Sequence, residues 1–172
     1  TWWRRSLRTL PSVISPRKKT RAALLADIPF DRLGVPEAHR RAVGRDAPLR
    51  TRMAAAKGLL PVQPHEMIAM AYVLVGDQDP AVSKAAKETL VDIPVGKLVG
   101  ALSQETHPKV LEFLVENRTG DALLLERALG IRSANDRTAC LVARHAPVKL
   151  VELVAANQQR LLVTPTMYLR LL

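Results

Sequence analysis

Residues 77–90 read DQDPAVSKAAKETL, and the reading of this stretch decides the fold. An aspartate stands directly before a proline, a valine follows two positions later, and small apolar residues recur at helical spacing as far as Leu90. Asp79 can accept the free N–H groups of a first helical turn. Pro80 then occupies the first helical position, where its missing N–H costs nothing. Val82 and Ala86 are four residues apart and so share one helix face. The stretch predicts a helix over 80–92 with one apolar side.

The pattern recurs twice downstream. HPKVLEFLVENR starts at His107 and NDRTACLVARHA at Asn135, so successive starts are 28 residues apart. The fourth position holds Val82, Val110 and Thr138, and the eighth holds Ala86, Leu114 and Val142. Each unit continues into a second amphipathic segment, VGKLVGAL, DALLLERAL and PVKLVELV in turn. A helix pair this short buries its apolar face only by stacking on its neighbours. The expectation is an all-α, right-handed helical-repeat solenoid of about four helix pairs. Its continuous core would hold Val82, Ala86, Leu90, Val110, Leu114, Val142, Leu150 and Leu153. Expected helices are 48–60, 64–75, 80–92, 95–103, 108–117, 121–129, 135–145, 147–160 and 165–172. Gly76, Gly120 and Gly130 fall where helices should end or turn, and Val and Ile nowhere alternate as a half-buried strand requires.

At Asp79, Pro80, Val82, Ala85, Ala86 and Leu90 the chain resembles the second helix of HEAT and HEAT-like repeats, in which an Asp-Pro-x-Val opening leads into small residues and a Leu. Pro108 and Val110, then Asp136, echo it in the next two units. The 28-residue period is shorter than the roughly 40–47 of the long repeats and looks like the short bacterial HEAT-like units. The resemblance covers residues 48–172 and implies a fold used by scaffolds, adaptors and a few enzymes alike.

Charge divides the chain differently. Of 172 residues, 26 are Lys or Arg and 16 are Asp or Glu, a net of +10. Residues 1–52 carry 13 basic and four acidic side chains, a net of +9, while residues 53–172 carry 13 and 12, a net of +1. The sequence therefore reads as a basic N-terminal arm, 1–47, joined to a balanced repeat domain, 48–172. A field of this sign favours anionic partners. One cysteine, Cys140, gives no disulfide framework and suits a reducing compartment such as the cytoplasm. The pattern still being helical at LRLL predicts further repeats in the natural protein.

The arm opens TWWRRSLRTLPSVISPRKKTR, with seven basic side chains and no carboxylate. WRRSLRTL looks like a twin-arginine signal, but only LPSVIS precedes PRKK, too short a hydrophobic segment for export. Read as a short helix, residues 2–10 place Trp3, Leu7 and Leu10 on one stripe, with Arg4, Arg5 and Arg8 largely outside it. The stripe could pack back on the repeats as a cap, dock in an acidic groove of a partner protein, or lie on an anionic membrane. The preferred reading is the partner protein, engaged by Trp2, Trp3, Arg4, Arg5, Leu7 and Arg8. A membrane ranks last of the three because the apolar run is short. Arg17, Lys18, Lys19, Arg21, Arg40 and Arg41 form the anion-binding set. Nucleic acid is the runner-up partner, since backbone contact needs only charge; few aromatics are present for stacking single strands. Phe30 and Leu33 should anchor the arm to the first helices.

Catalytic and metal signatures are sparse. His39, His65, His107 and His145 have no Cys, His or carboxylate pair at zinc spacing, and no metal or cofactor is expected. His107 stands where Asp79 stands one unit earlier, so it should cap a helix. Cys140, among apolar neighbours in TACLVAR, should be a buried, inert thiol. Gly96 and Gly100 should mark close helix packing, and Glu112 and Glu116 a solvated i,i+4 pair. No enzyme activity is expected. An enzyme of this class would need an acid in a pocket, with Asp77 and Asp136 the candidates, and a basic concave surface that a net of +1 does not supply.

Overall fold

Three caps stand where the 28-residue spacing puts them. Asp79 Oδ1 accepts the N–H groups of Ala81 at 2.8 Å and Val82 at 3.4 Å. His107 Nδ1 accepts from Lys109 N–H at 3.1 Å, and Asn135 Oδ1 from Thr138 N–H at 2.9 Å. Each satisfies a donor that the first helical turn leaves open. The computed structural model describes residues 30–145 and Pro147, and these form nine helices and no strand. They are α1 Phe30–Leu33, α2 Glu37–Val43, α3 Leu49–Ala56, α4 Pro64–Leu74, α5 Pro80–Asp92, α6 Val95–Ala101, α7 Pro108–Asn117, α8 Ala122–Gly130 and α9 Asp136–His145. The protein is all-α over this range. None of these helices is long and apolar enough to cross a membrane.

Helix ends follow backbone chemistry. The expected helix 48–60 stops at Ala56, because Gly58 takes φ +66° and reverses the chain. Gly58 N–H reaches Ala55 O at 3.1 Å and Leu59 N–H reaches Ala54 O at 3.0 Å, the paired bonds of a left-handed helix stop. Gly34, at φ +79°, ends α1 in the same way, with Val35 N–H on Phe30 O at 3.1 Å. Gly76, Gly120 and Gly130 lie at or near helix ends as expected, without positive φ.

Contacts run in two series. Helix α3 packs on α5, α5 on α7, and α7 on α9; α2 packs on α4, α4 on α6, and α6 on α8. Side chains tie residues about one period apart. Arg118 donates to Ile93 O at 2.6 Å and to Leu90 O at 3.4 Å. Arg127 donates to Leu102 O at 2.8 Å, and Ser133 Oγ donates to Thr106 O. Gln104 donates to Gly130 O at 3.3 Å and accepts from Arg132 N–H at 2.7 Å. Arg52 pairs with the buried Asp77 carboxylate.

Val82, Ala86, Leu90, Val110 and Leu114 are buried in one cluster, joined by Leu33, Val35 and Val43 from the start of the described chain. Phe30 is half-buried against it, so the expected anchors hold. Tyr72 and Phe113 meet edge-on within it, centroids 5.7 Å apart. Val142 is buried too, but in a second, smaller cluster with Val115, Leu125, Ala128 and Leu141. The expected core is not continuous: the second cluster draws on α7, α8 and α9, and polar residues gather at the start of α9. Asn135 there links two buried polar side chains, Glu112 and Thr138. Leu150 and Leu153, with the expected helices past Pro147, lie outside the described residues. Gly96 and Gly100 do not mark close packing, since a Cβ at either would meet nothing within 4 Å.

Leu90→Ala removes a side chain of 0% exposure from the centre of the main cluster. It should destabilise by about 2–5 kcal/mol in denaturant unfolding. Val91→Ala next to it, 41% exposed, should stay within about 0.5 kcal/mol.

Candidate functional site

Four segments far apart in sequence, residues 31–34, 58–69, 93–97 and 100–106, enclose an open groove of about 1180 Å³. Leu60, Val62, Met67, Ile68, Ile93 and Ala101 give it an apolar wall. The reversal at Gly58 brings the α3–α4 connection over Met67, close enough that a Cβ there would meet Met67 Sδ at 3.3 Å. Its exposed, charged lining side chains are Asp31, which is paired with Arg40, and Arg32, Lys97 and Glu105. The space exceeds the roughly 300–1,000 Å³ of a small-molecule pocket, and its aliphatic wall suits the apolar side of a peptide. Sequence reasoning missed this site, because no one-dimensional pattern brings those four segments together.

It also missed Glu112, whose expected solvated role is corrected. Glu112 is 5% exposed. Its carboxylate accepts from Lys109 Nζ at 2.8 Å and Asn135 Nδ2 at 3.0 Å, and lies 3.2 Å from Arg137 Nε. Arg137 also approaches exposed Glu116 at 3.6 Å. A buried carboxylate is tolerated only when charge and hydrogen bonds replace its water, as here. The available signal was its place inside the apolar run Val110–Val115, every residue of which is buried. With its oxygens held from α7 and from the start of α9, Glu112 joins two helices.

Other expected residues fall as follows. Trp2, Trp3, Arg4, Arg5, Leu7, Arg8, Arg17, Lys18, Lys19 and Arg21 lie outside the described residues. Arg40 is half-buried, ion-paired with Asp31 and directed at Val35 O at 3.5 Å, while Arg41 is exposed. Asp77 is tied to Arg52 and accepts Asp79 N–H at 2.8 Å, which fixes the entry to α5. Asp136 is exposed in the first turn of α9. Cys140 is half-buried rather than fully buried. His65 lines the groove, and His39 lies 4.0 Å from Glu66. No group of three metal-ligating side chains occurs among the described residues.

His107 caps α7 as expected. Burial holds its pKa below the ordinary imidazole value, with the Lys109 charge acting in the same sense and Glu112 opposing. An uncharged Nδ1 is what the cap needs, since a protonated one cannot accept Lys109 N–H. Comparison with protein-family models, with curated proteins and with solved structures finds no match to this chain.

A depressed histidine pKa means that the unfolded chain takes up this proton before the folded one. The contribution is whole above the unfolded value of about 6.5 and is lost as pH falls toward the folded value. Melting curves between about pH 5 and about pH 7 should therefore show stability rising with pH. In His107→Asn, which caps without titrating, that slope should be measurably shallower.

Proposed function

We propose that this chain is a non-catalytic adaptor or scaffold subunit, a HEAT-like solenoid body carrying a basic arm that docks on a protein partner. The separation of charge carries the reading: +9 over residues 1–52 against +1 over residues 53–172. A body that bound nucleic acid along its own surface would carry the charge itself. The solenoid part, taken as right-handed, draws support from caps 28 residues apart and from the two series of helix contacts. Stacked units of this kind offer extended surfaces to partners.

The Trp3/Leu7/Leu10 stripe set among Arg4, Arg5 and Arg8 fits an acidic groove with an apolar floor. Phosphate binding would use the arginines and leave the stripe idle. The cytoplasm is the compartment that the lone cysteine suits. Nucleic-acid backbone is the second reading. It is favoured by Arg41, Arg45 and Arg50, which are exposed and extend the basic arm into the described part of the chain.

Two variants of the 172-residue chain separate these readings, Trp2→Ala with Trp3→Ala, and Arg17, Lys18, Lys19 and Arg21 all changed to Gln. Partner capture in pull-downs should fall mainly in the first, because buried Trp and Arg anchors carry most interface energy. Gel shifts that weaken steeply with salt and respond mainly to the second would favour nucleic acid. If neither change weakens capture or shift, the arm is not the docking element and the reading fails.

A further inference from the structure

The groove described above is lined in part by the first described residues of the chain. Phe30 is anchored on the core, and the three residues after it, Asp31, Arg32 and Leu33, form part of the groove wall. The described chain therefore begins beside the groove. We propose that residues 2–10, led by Trp3, Leu7 and Leu10, dock in this groove of the same chain when no partner is bound. This rests on the reading of that stripe as a docking helix and deepens it: the groove is the resting place from which a partner must draw the arm.

Reach, size and chemistry agree. Nineteen residues, 11–29, separate the stripe from Phe30. At about 3.3 Å each they extend to about 60 Å, enough to return to any point of the groove. Attachment by so short a segment holds the stripe at an effective concentration of order millimolar. The stripe spans seven residue steps, about 10 Å of helix, which suits a groove of about 1180 Å³. The wall is aliphatic, with Met67 able to adjust its shape to a ring. Among the described residues no Phe, Tyr or Trp lines it, and the arm brings two indoles. Asp31 is already paired with Arg40, so the lining offers the basic arm no net acidic charge, and the apolar wall rather than charge selects the occupant.

Trp2 and Trp3 are the only tryptophans in the chain, so indole emission reports the arm alone. In the isolated 172-residue chain, emission should lie to the blue of the guanidinium-unfolded chain and resist acrylamide quenching. Gly100 lines the groove and a Cβ there meets nothing within 4 Å, so Gly100→Gln adds a polar side chain to the groove without straining α6. Gly96→Gln, in equally open space on the same helix, does not line the groove and is the control.

Gly100→Gln should shift emission to the red and restore quenching while Gly96→Gln leaves both unchanged, and Met67→Gln should repeat the Gly100 result. Emission in the unsubstituted protein equal to that of the unfolded chain overturns the proposal. So do Gly100 and Gly96 variants that behave alike, and emission that reddens on dilution, which would put the arm in a second copy. Partner capture is measured separately. Lost capture in the tryptophan variant with emission unmoved by Gly100→Gln sinks the groove alone, and shifted emission without any capture sinks the adaptor reading alone.

Discussion

Helix ends leave carbonyl oxygens without partners, and in this chain a side chain from the following unit takes them. Arg118, 9% exposed at its side chain, holds Ile93 O and Leu90 O at the end of α5 while also bonding Asp121 at 2.6 Å. Arg127 does the same for Leu102 O after α6. A guanidinium suits this work because its planar fork can serve several oxygens and stays charged when partly buried. The result is a backbone in which the end of one helix is completed about one period later. Spacing is thereby fixed by hydrogen bonding as well as by apolar packing.

How much of this was legible depends on distance along the chain. Asp79 and His107 could be read as caps because a cap and the N–H it accepts are two or three residues apart. Helices α5 and α7 matched their expected limits for the same reason. The end of α3 was misplaced because the periodic apolar residues continue past Gly58, and only its positive φ reveals the stop. Arg118 and Arg127 could not be told from solvated residues, since their oxygens lie 25 to 28 residues away. Glu112 needed α9 in place before its burial made sense. The groove joins residues as far apart as Asp31 and Thr106, beyond any local pattern.

Polar groups also join helices beside the core. Thr138 replaces the valine of the two earlier units, and its hydroxyl bonds Asn135 Oδ1 at 3.0 Å instead of joining the main cluster. Asn135 turns its amide to Glu112, so the junction of α7 with α9 is specified by directed bonds where the earlier one is specified by shape. Such a junction loses more when one partner is removed than apolar packing of equal area would, because a charge is left buried.

The arginine ties have a consequence for synthesis. Ile93 O and Leu90 O emerge from the ribosome 25 and 28 residues before Arg118. At about 5–20 residues per second, those oxygens wait roughly one to six seconds for their donor. During that interval water serves them. Elongation speed through residues 94–118 therefore sets how long the nascent chain carries an unfinished edge.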